Sequence, residues 1–286
     1  MGREEVSSPK GAGASLCLPV RRKSDMPSIT SYDHGAPCWT DLATSEPARA
    51  KAFYTKLFGW TYQNNDMGNG QFYSTIQLNG VGAGAIYGQV AEEIEQGISP
   101  RWSTYFNVND VDAAAARVVP AGGTLMMEPF DVMGIGRMVL IFDPTGAVVA
   151  LWQSIEHFDT RMVNEPGAMT WNELLTRDTD IAAKFYEEVL DWDSHADDMG
   201  RMDYTIFHTT QDHPAGAMVH LDESHVGVRP HWMVYFAVSD CDETTMLSAK
   251  NGGKVVVPPT DMPAGRFAVL SDPQGAVFGV MAGNGR

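Results

Sequence analysis

Cys38-Trp39-Thr40-Asp41-Leu42-Ala43-Thr44-Ser45-Glu46 returns 132 residues later as Thr170-Trp171-Asn172-Glu173-Leu174-Leu175-Thr176-Arg177-Asp178. The same offset of 132 carries Phe53-Tyr54 onto Phe185-Tyr186, Trp60 onto Trp192, Met67-Gly68 onto Met199-Gly200 and Ala83-Gly84-Ala85 onto Ala215-Gly216-Ala217. It falls to 130 for Trp102, Tyr105-Phe106, Asp110 and Gly122-Gly123, which meet Trp232, Tyr235-Phe236, Asp240 and Gly252-Gly253. It is 129 for Arg137 with Arg266 and for Asp143-Pro144-Thr145-Gly146 with Asp272-Pro273-Gln274-Gly275. So small a drift over so long a span marks a duplicated domain, and a repeat at this scale decides the architecture before any single segment is read.

Within each copy the pattern is also regular. Trp39 to Thr44 alternates as a strand does. Pro47 to Phe58 puts Ala48, Ala52, Phe53 and Leu57 on one side of a helix, and from Trp60 onward short strands are broken at glycines. The second part of each copy repeats this order: a strand over 103–108, a helix opened by Asp110 and stopped at Gly122-Gly123, then strands ending at 148–152. Asp110 and Asp240 suit helix N-caps, and glycine supplies the left-handed stop. The chain is therefore expected to be an α+β protein of four βαβββ-like modules. The expected divisions are a disordered leader over 1–30, a first domain over 31–157 and a second over 165–284.

Composition narrows the partners. The net charge is −16, and the longest basic run is Arg21-Arg22-Lys23, so the electrostatic footprint of a nucleic-acid binder is missing. Three cysteines, Cys17, Cys38 and Cys241, are odd in number and widely spaced, which argues against a disulfide framework or a cysteine zinc site and for a reducing, cytoplasmic setting. No apolar run approaches the length of a membrane span. The stretch 12–20 is short, contains Pro19 and precedes its basic cluster, the reverse of a signal peptide, and Met26 is an alternative start. Gly68-Asn69-Gly70 and Gly82-Ala83-Gly84-Ala85 lack the lysine or helix of a phosphate-binding loop, and there is no Gly-x-Ser-x-Gly elbow. The expected partner is a small molecule, with no nucleic acid and no membrane. The expected assembly is a monomer of two pseudo-symmetric domains or a homodimer.

Two phrases in each copy carry a resemblance. Thr44-Ser45-Glu46, Ala52-Phe53-Tyr54 and Leu57-Phe58-Gly59-Trp60, with Thr176-Arg177-Asp178, Lys184-Phe185-Tyr186 and Leu190-Asp191-Trp192, resemble the opening module of the vicinal oxygen chelate superfamily of glyoxalases, bleomycin resistance proteins and extradiol dioxygenases. Phe142-Asp143-Pro144-Thr145-Gly146 and Ser271-Asp272-Pro273-Gln274-Gly275, each followed by an apolar strand, resemble the start of that family's final strand. The resemblance covers about 35–283 and implies tandem glyoxalase-like domains, each of two βαβββ modules forming a cup-shaped, eight-stranded mixed sheet around a divalent metal or a small ligand.

The resemblance also assigns metal-ligand positions, and this chain has Trp39, Ser103 and Ala150 there in the first copy and Trp171, Met233 and Gly279 in the second. Indole, thioether and methyl groups do not bind such metals, so no metal and no other cofactor is expected. One displaced arrangement stays open, Glu173 with His208, His220 and His231, although the first copy has no matching histidines.

Asp41 and Glu173 lie two residues beyond Trp39 and Trp171 and share their strand face. Buried there, each is a candidate catalytic carboxylate, a general base or the partner of a cationic ligand; the alternative is an ion pair with Arg137 or Arg266 across the sheet. Arg137 and Arg266 follow glycine-containing turns and offer a planar fork to a bound oxygen, or a structural ion pair. Trp39, Tyr105, Trp171 and Tyr235 either line the cups or are plain core, and His208 is a further candidate ligand contact. Trp102 and Trp232 have the opposite parity and are expected to pack against a helix or the other domain. The leading expectation is a metal-independent protein that sequesters or processes an aromatic or toxic metabolite in an aromatic cup. The competing one is an enzyme, a glyoxalase-like lyase or isomerase or a hydroxylase or cyclase of secondary metabolism. In it Asp41 or Glu173 is the base, and Arg137 or Arg266 stabilises an enolate-like oxygen.

Overall fold

The structure is a computed structural model that describes residues 31–68, 70–155, 162–198 and 203–283. The expected leader over 1–30 lies outside the described residues.

The first half runs β1 (Pro37–Thr44), α1 (Pro47–Phe58), β2 (Thr61–Gly68), β3 (Gln71–Leu78), β4 (Val81–Gly88), α2 (Ala91–Glu95), β5 (Arg101–Asn107), α3 (Val111–Val118), β6 (Thr124–Leu125), β7 (Phe130–Val132), β8 (Gly136–Phe142) and β9 (Val148–Ser154). The second runs β10 (Met169–Thr176), α4 (Thr179–Leu190), β11 (Asp193–Asp198), β12 (Asp203–His208), β13 (Pro214–His220), β14 (His231–Ala237), α5 (Cys241–Lys250), β15 (Lys254–Met262), β16 (Gly265–Ser271) and β17 (Val277–Gly283). Three helices start where the sequence places an acidic cap: Asp110, Asp178 and Asp240 accept from the backbone N–H three residues on, at 2.9, 3.1 and 2.8 Å.

Each half builds its own sheet. The strand order is β2-β3-β4-β1-β5-β9-β8-β6, with β7 also on β8, and in the second half β11-β12-β13-β10-β14-β17-β16-β15. In both, the opening strand runs parallel to the fourth and antiparallel to the strand that opens the second module. These are tandem glyoxalase-like domains of two βαβββ modules each, the first carrying a short extra strand.

The helices cover one face of each sheet, and those faces bury their apolar surface against each other. One core joins Phe53, Tyr54, Trp60 and Trp102 of the first half to Phe236 and Phe278 of the second; its mirror joins Phe106 and Ile141 to Phe185, Tyr186, Trp192 and Trp232. Trp102 and Trp232 thus face the helices and the other half, as their parity requires. Trp60 and Trp192 cross the boundary reciprocally: their indole N–H groups donate to Gly167 O at 2.7 Å and Gly35 O at 3.0 Å. Gly35 has φ +80°, and a Cβ there would strike the Trp192 indole. Among the described residues no helix is long and apolar enough to cross a membrane.

Candidate functional site

The face of each sheet away from the helices carries the residues singled out by parity. Trp39 pairs with Tyr105 and Asp41 with Ser103 across β1 and β5, while Asp41 also pairs with Ala85 on β4. Because side chains alternate, Trp39, Asp41, Ser103 and Tyr105 stand together. The hydroxyl of Tyr105 donates to Asp41 Oδ2 at 2.7 Å and that of Tyr73, on β3, donates to the same oxygen at 3.2 Å. Trp39 Nε1 donates in turn to the Tyr73 hydroxyl at 2.8 Å. Asp41 is 1% exposed, and its other oxygen, Oδ1, is buried with no donor meeting it in good geometry.

The second half repeats the cluster. Tyr235 donates to Glu173 Oε2 at 2.7 Å, and Trp171 Nε1 donates to the Tyr204 hydroxyl at 2.8 Å. The Tyr204 hydroxyl also supports the Glu173 carboxylate. A tryptophan, two tyrosines and one carboxylate therefore occupy the cup face in each copy.

Burial governs the electrostatics. It pushes the Asp41 carboxyl up to about 6, against the opposing hydroxyls of Tyr105, Tyr73 and Ser103 and the charge of Arg101. Burial likewise raises Glu173, opposed by Tyr235 and Tyr204. The phenols of Tyr73, Tyr105 and Tyr235 are held well above their ordinary value, by burial first and by the adjacent carboxylate second, so they remain donors.

Two other sequence candidates lie elsewhere. Arg137 forks onto Asp112 of α3, Nε and Nη2 each at 2.9 Å, and reaches Asp131 at 2.9 Å. Arg266 does the same with Asp242 of α5, at 2.6 and 3.0 Å, and with Asp261 at 2.8 Å. This corrects their placement toward a cup ligand or across the sheet to Asp41 and Glu173. Their neighbours Met138 and Phe267 face the cups, so alternation turns both guanidiniums toward the helices, where an acidic first turn waits. The His208 ring lies 5.4 Å from the His195 ring, tilted by 58°, and is not part of the hydrogen-bonded cluster around Glu173. His220 is exposed, and His231 Nδ1 pairs with Arg229 O at 2.8 Å, so the displaced arrangement with Glu173 is not assembled.

Tyr73 and Tyr204 were not singled out by the sequence reading. They are 131 residues apart, between blocks that are 132 apart, so alignment at one offset passes over them. The slip lies in the turns between strands: the paired residues Gln77 and Gly82 are five positions apart, whereas His208 and Pro214 are six apart.

The donor set does not fit the divalent metal that the resemblance implies. Among the described residues no three His, Cys, Asp or Glu side chains gather to hold an ion. Each cup offers one carboxylate surrounded by phenols and an indole. At Gly279, the position of the implied last ligand in the second copy, a Cβ would run into the ring of Tyr235, which fills that space. A cleft of about 470 Å³ is lined by Trp171 together with Tyr32, Asp33, Asn164, Asn172 and His213, and neither Asp41 nor Glu173 lines it.

Comparison with known proteins adds one family model, two relatives and two solved structures. The family model described as "Glyoxalase/Bleomycin resistance protein/Dioxygenase superfamily" matches residues 36–151 and 168–280. A Mycobacterium tuberculosis protein, CFP32, whose name gives it provisionally as a glyoxylase, is 44% identical over 90% of this chain and 98% of its own. The anthracycline biosynthesis protein DauV of Streptomyces sp. strain C5 is 37% identical over 88% of this chain and 95% of its own. In structure, the chain is similar to a Mn(II)-bound glyoxalase from Novosphingobium aromaticivorans, with TM-score 0.62, 16% identity and coverage of 87% of this chain and 82% of that one. It is also similar to a mutant 4-hydroxymandelate synthase from Streptomyces coelicolor, with TM-score 0.58, 12% identity and coverage of 89% and 94%. At such identities the structural likeness speaks for the fold.

Proposed function

Since the chain belongs to the glyoxalase/bleomycin resistance protein/dioxygenase superfamily, we propose that it is a metal-independent, small-molecule-binding member of it. It holds an aromatic or toxic metabolite against a carboxylate–phenol cluster in an aromatic cup, to sequester or to process it. The observation that carries this reading is Asp41 Oδ1, a buried acceptor that no donor meets in good geometry, inside a wall of Trp39, Tyr73 and Tyr105. An unmet buried acceptor costs about 1–3 kcal/mol, which a ligand's donor recovers on binding. Indole and phenol faces suit a planar molecule. The similarity to a protein named for anthracycline biosynthesis favours a fused-ring skeleton. The three cysteines, odd in number and widely spaced along the chain, suit a reducing cytoplasm. Neither nucleic acid nor a membrane takes part, and the working unit is a monomer or a homodimer.

A second reading is favoured by one observation, the Asp41 carboxyl at about 6. A base near neutrality suits proton abstraction in a lyase, isomerase, hydroxylase or cyclase. In that reading Asp41 takes the proton at Oδ1 and returns it to the product, with no help from Arg137 or Arg266.

The test is metal content per chain by plasma mass spectrometry, after purification without chelators or a nickel column, followed by tryptophan-fluorescence titration with anthraquinone probes. Substoichiometric metal and saturable quenching are expected. One tightly held metal per chain, or no quenching without added metal, overturns the proposal. Asp41→Asn separates the two readings: binding of a neutral probe survives it, whereas proton-transfer turnover does not.

A further inference from the structure

The two cups match at the level of Asp41 and Glu173 and diverge one step along the same strands. In the first, Ala43 pairs with Tyr87 on one side and Arg101 on the other. In the second, Leu175 pairs with Val219 and His231. A small residue between a phenol and a guanidinium has become a leucine between a valine and an imidazole. The change affects both space and polarity. Leu175 and Val219 pack into the apolar lining of the second cup, and the His231 ring is committed to the Arg229 carbonyl.

Arg101 is not similarly committed. Its Nη2 meets Glu93 at 2.5 Å, but Nη1 is buried with no hydrogen-bond partner. Strand register puts Arg101 on the face of Asp41, and its charge acts on both Asp41 and Tyr87. Tyr87 stacks on Tyr73, with ring centroids 5.8 Å apart, and so extends the aromatic wall to the guanidinium. The first cup thus holds an unmet acceptor, Asp41 Oδ1, and an unmet donor, Arg101 Nη1, on successive rungs of the same face, with the small Ala43 as the cross-strand partner of Arg101. Both cost free energy while empty, and one ligand placed over Ala43 relieves both.

We propose that the first cup is the ligand site, the second being its structural counterpart. Asp41 and Arg101 are its two recognition points, for a neutral planar compound that carries a hydroxyl or N–H donor and a carbonyl oxygen. The inference rests on the metal-independent binding reading above and assigns it to one cup. A ligand lacking either group leaves one of the two unmet, so discrimination is strong.

The probes are 2-(hydroxymethyl)-9,10-anthraquinone and 2-methyl-9,10-anthraquinone, which share skeleton and carbonyls and differ by one O–H donor. With the full chain, the hydroxymethyl compound is expected to bind about tenfold more tightly. Asp41→Ala is expected to remove that difference. Arg101→Met is expected to weaken both compounds by about tenfold. Ala43→Leu, which gives the first cup the leucine of the second, abolishes binding, while His231→Ala leaves it unchanged. Thermal melts confirm that each variant folds; Arg101→Gln replaces Arg101→Met if that one does not. Binding that follows His231→Ala and ignores Arg101→Met and Ala43→Leu, or equal affinity for the two probes, overturns the inference and leaves the binding reading standing. If neither probe quenches the metal-free protein, the broader reading falls with it.

Discussion

The hydroxyl of Tyr54, on α1 of the first half, donates to Asp272 Oδ2 of the second half at 3.2 Å, and Tyr186 donates to Asp143 Oδ2 in the reciprocal direction at 3.0 Å. Asp143 and Asp272 each use their other oxygen to hold their own Asp-Pro-x-Gly turn, through Thr145 N and Ala147 N or Gln274 N and Ala276 N. The turn that opens the last strand of each half is therefore also a cross-link to the other half. The same tyrosines accept from Trp102 Nε1 at 3.0 Å and Trp232 Nε1 at 2.7 Å.

Tyr54→Phe strands the Trp102 indole N–H and one Asp272 oxygen in the buried boundary. A stability loss of about 2 kcal/mol is expected in urea titrations, with a similar loss for Tyr186→Phe. A loss below about 0.5 kcal/mol for both would show that water replaces the hydroxyl at no cost and that the cross-link is not a source of stability.

Asp41 makes stability depend on pH. Its carboxyl is raised from 3.8 to about 6 in the fold, so the fold favours the protonated form. That contribution is present below the unfolded value and is lost as pH rises through the folded one, by roughly 3 kcal/mol in total. Asp41→Asn has nothing to titrate there. Its stability relative to the parent should therefore improve by roughly 2–3 kcal/mol between pH of about 4 and about 7.5, read from paired denaturant curves. A difference that stays flat with pH, or falls, contradicts the desolvated carboxyl.

Arg137 and Arg266 serve the helices. Arg137→Ala and Arg266→Ala are expected to leave anthraquinone affinity unchanged while lowering the melting temperature slightly, by an amount that shrinks in high salt. A marked loss of probe affinity with unchanged melting would return these guanidiniums to the site.

Gly279 is kept free of a side chain by the Tyr235 ring. Gly279→Ala is expected to cost about 1–3 kcal/mol by overpacking. In a double-mutant cycle with Tyr235→Ala the combined loss should be clearly smaller than the sum, because one change relieves the other. Additive losses would mean that the strand moves aside without engaging the tyrosine.

The repeat, the helix caps at Asp110 and Asp240, and the shared face of Trp39, Asp41 and Tyr105 could be read from the chain, because each depends on local periodicity. The pairing of halves through Trp60 with Gly167 and Trp192 with Gly35 left no local trace: it joins residues 107 and 157 positions apart. Arg137 and Arg266 looked like cup residues because they follow turns, but which way a side chain points depends on register with the neighbouring strand. Tyr73 and Tyr204 were hidden by a slip of one residue in the turns between strands, which only the strand pairing makes visible. Four βαβββ-like modules in two copies were legible because apolar period and repeat spacing are properties of the chain, and their pairing into twin cups is what the family resemblance implied. Which polar atoms in those cups go unmet was not legible there, because burial and hydrogen-bond partners arise from segments that meet only after folding.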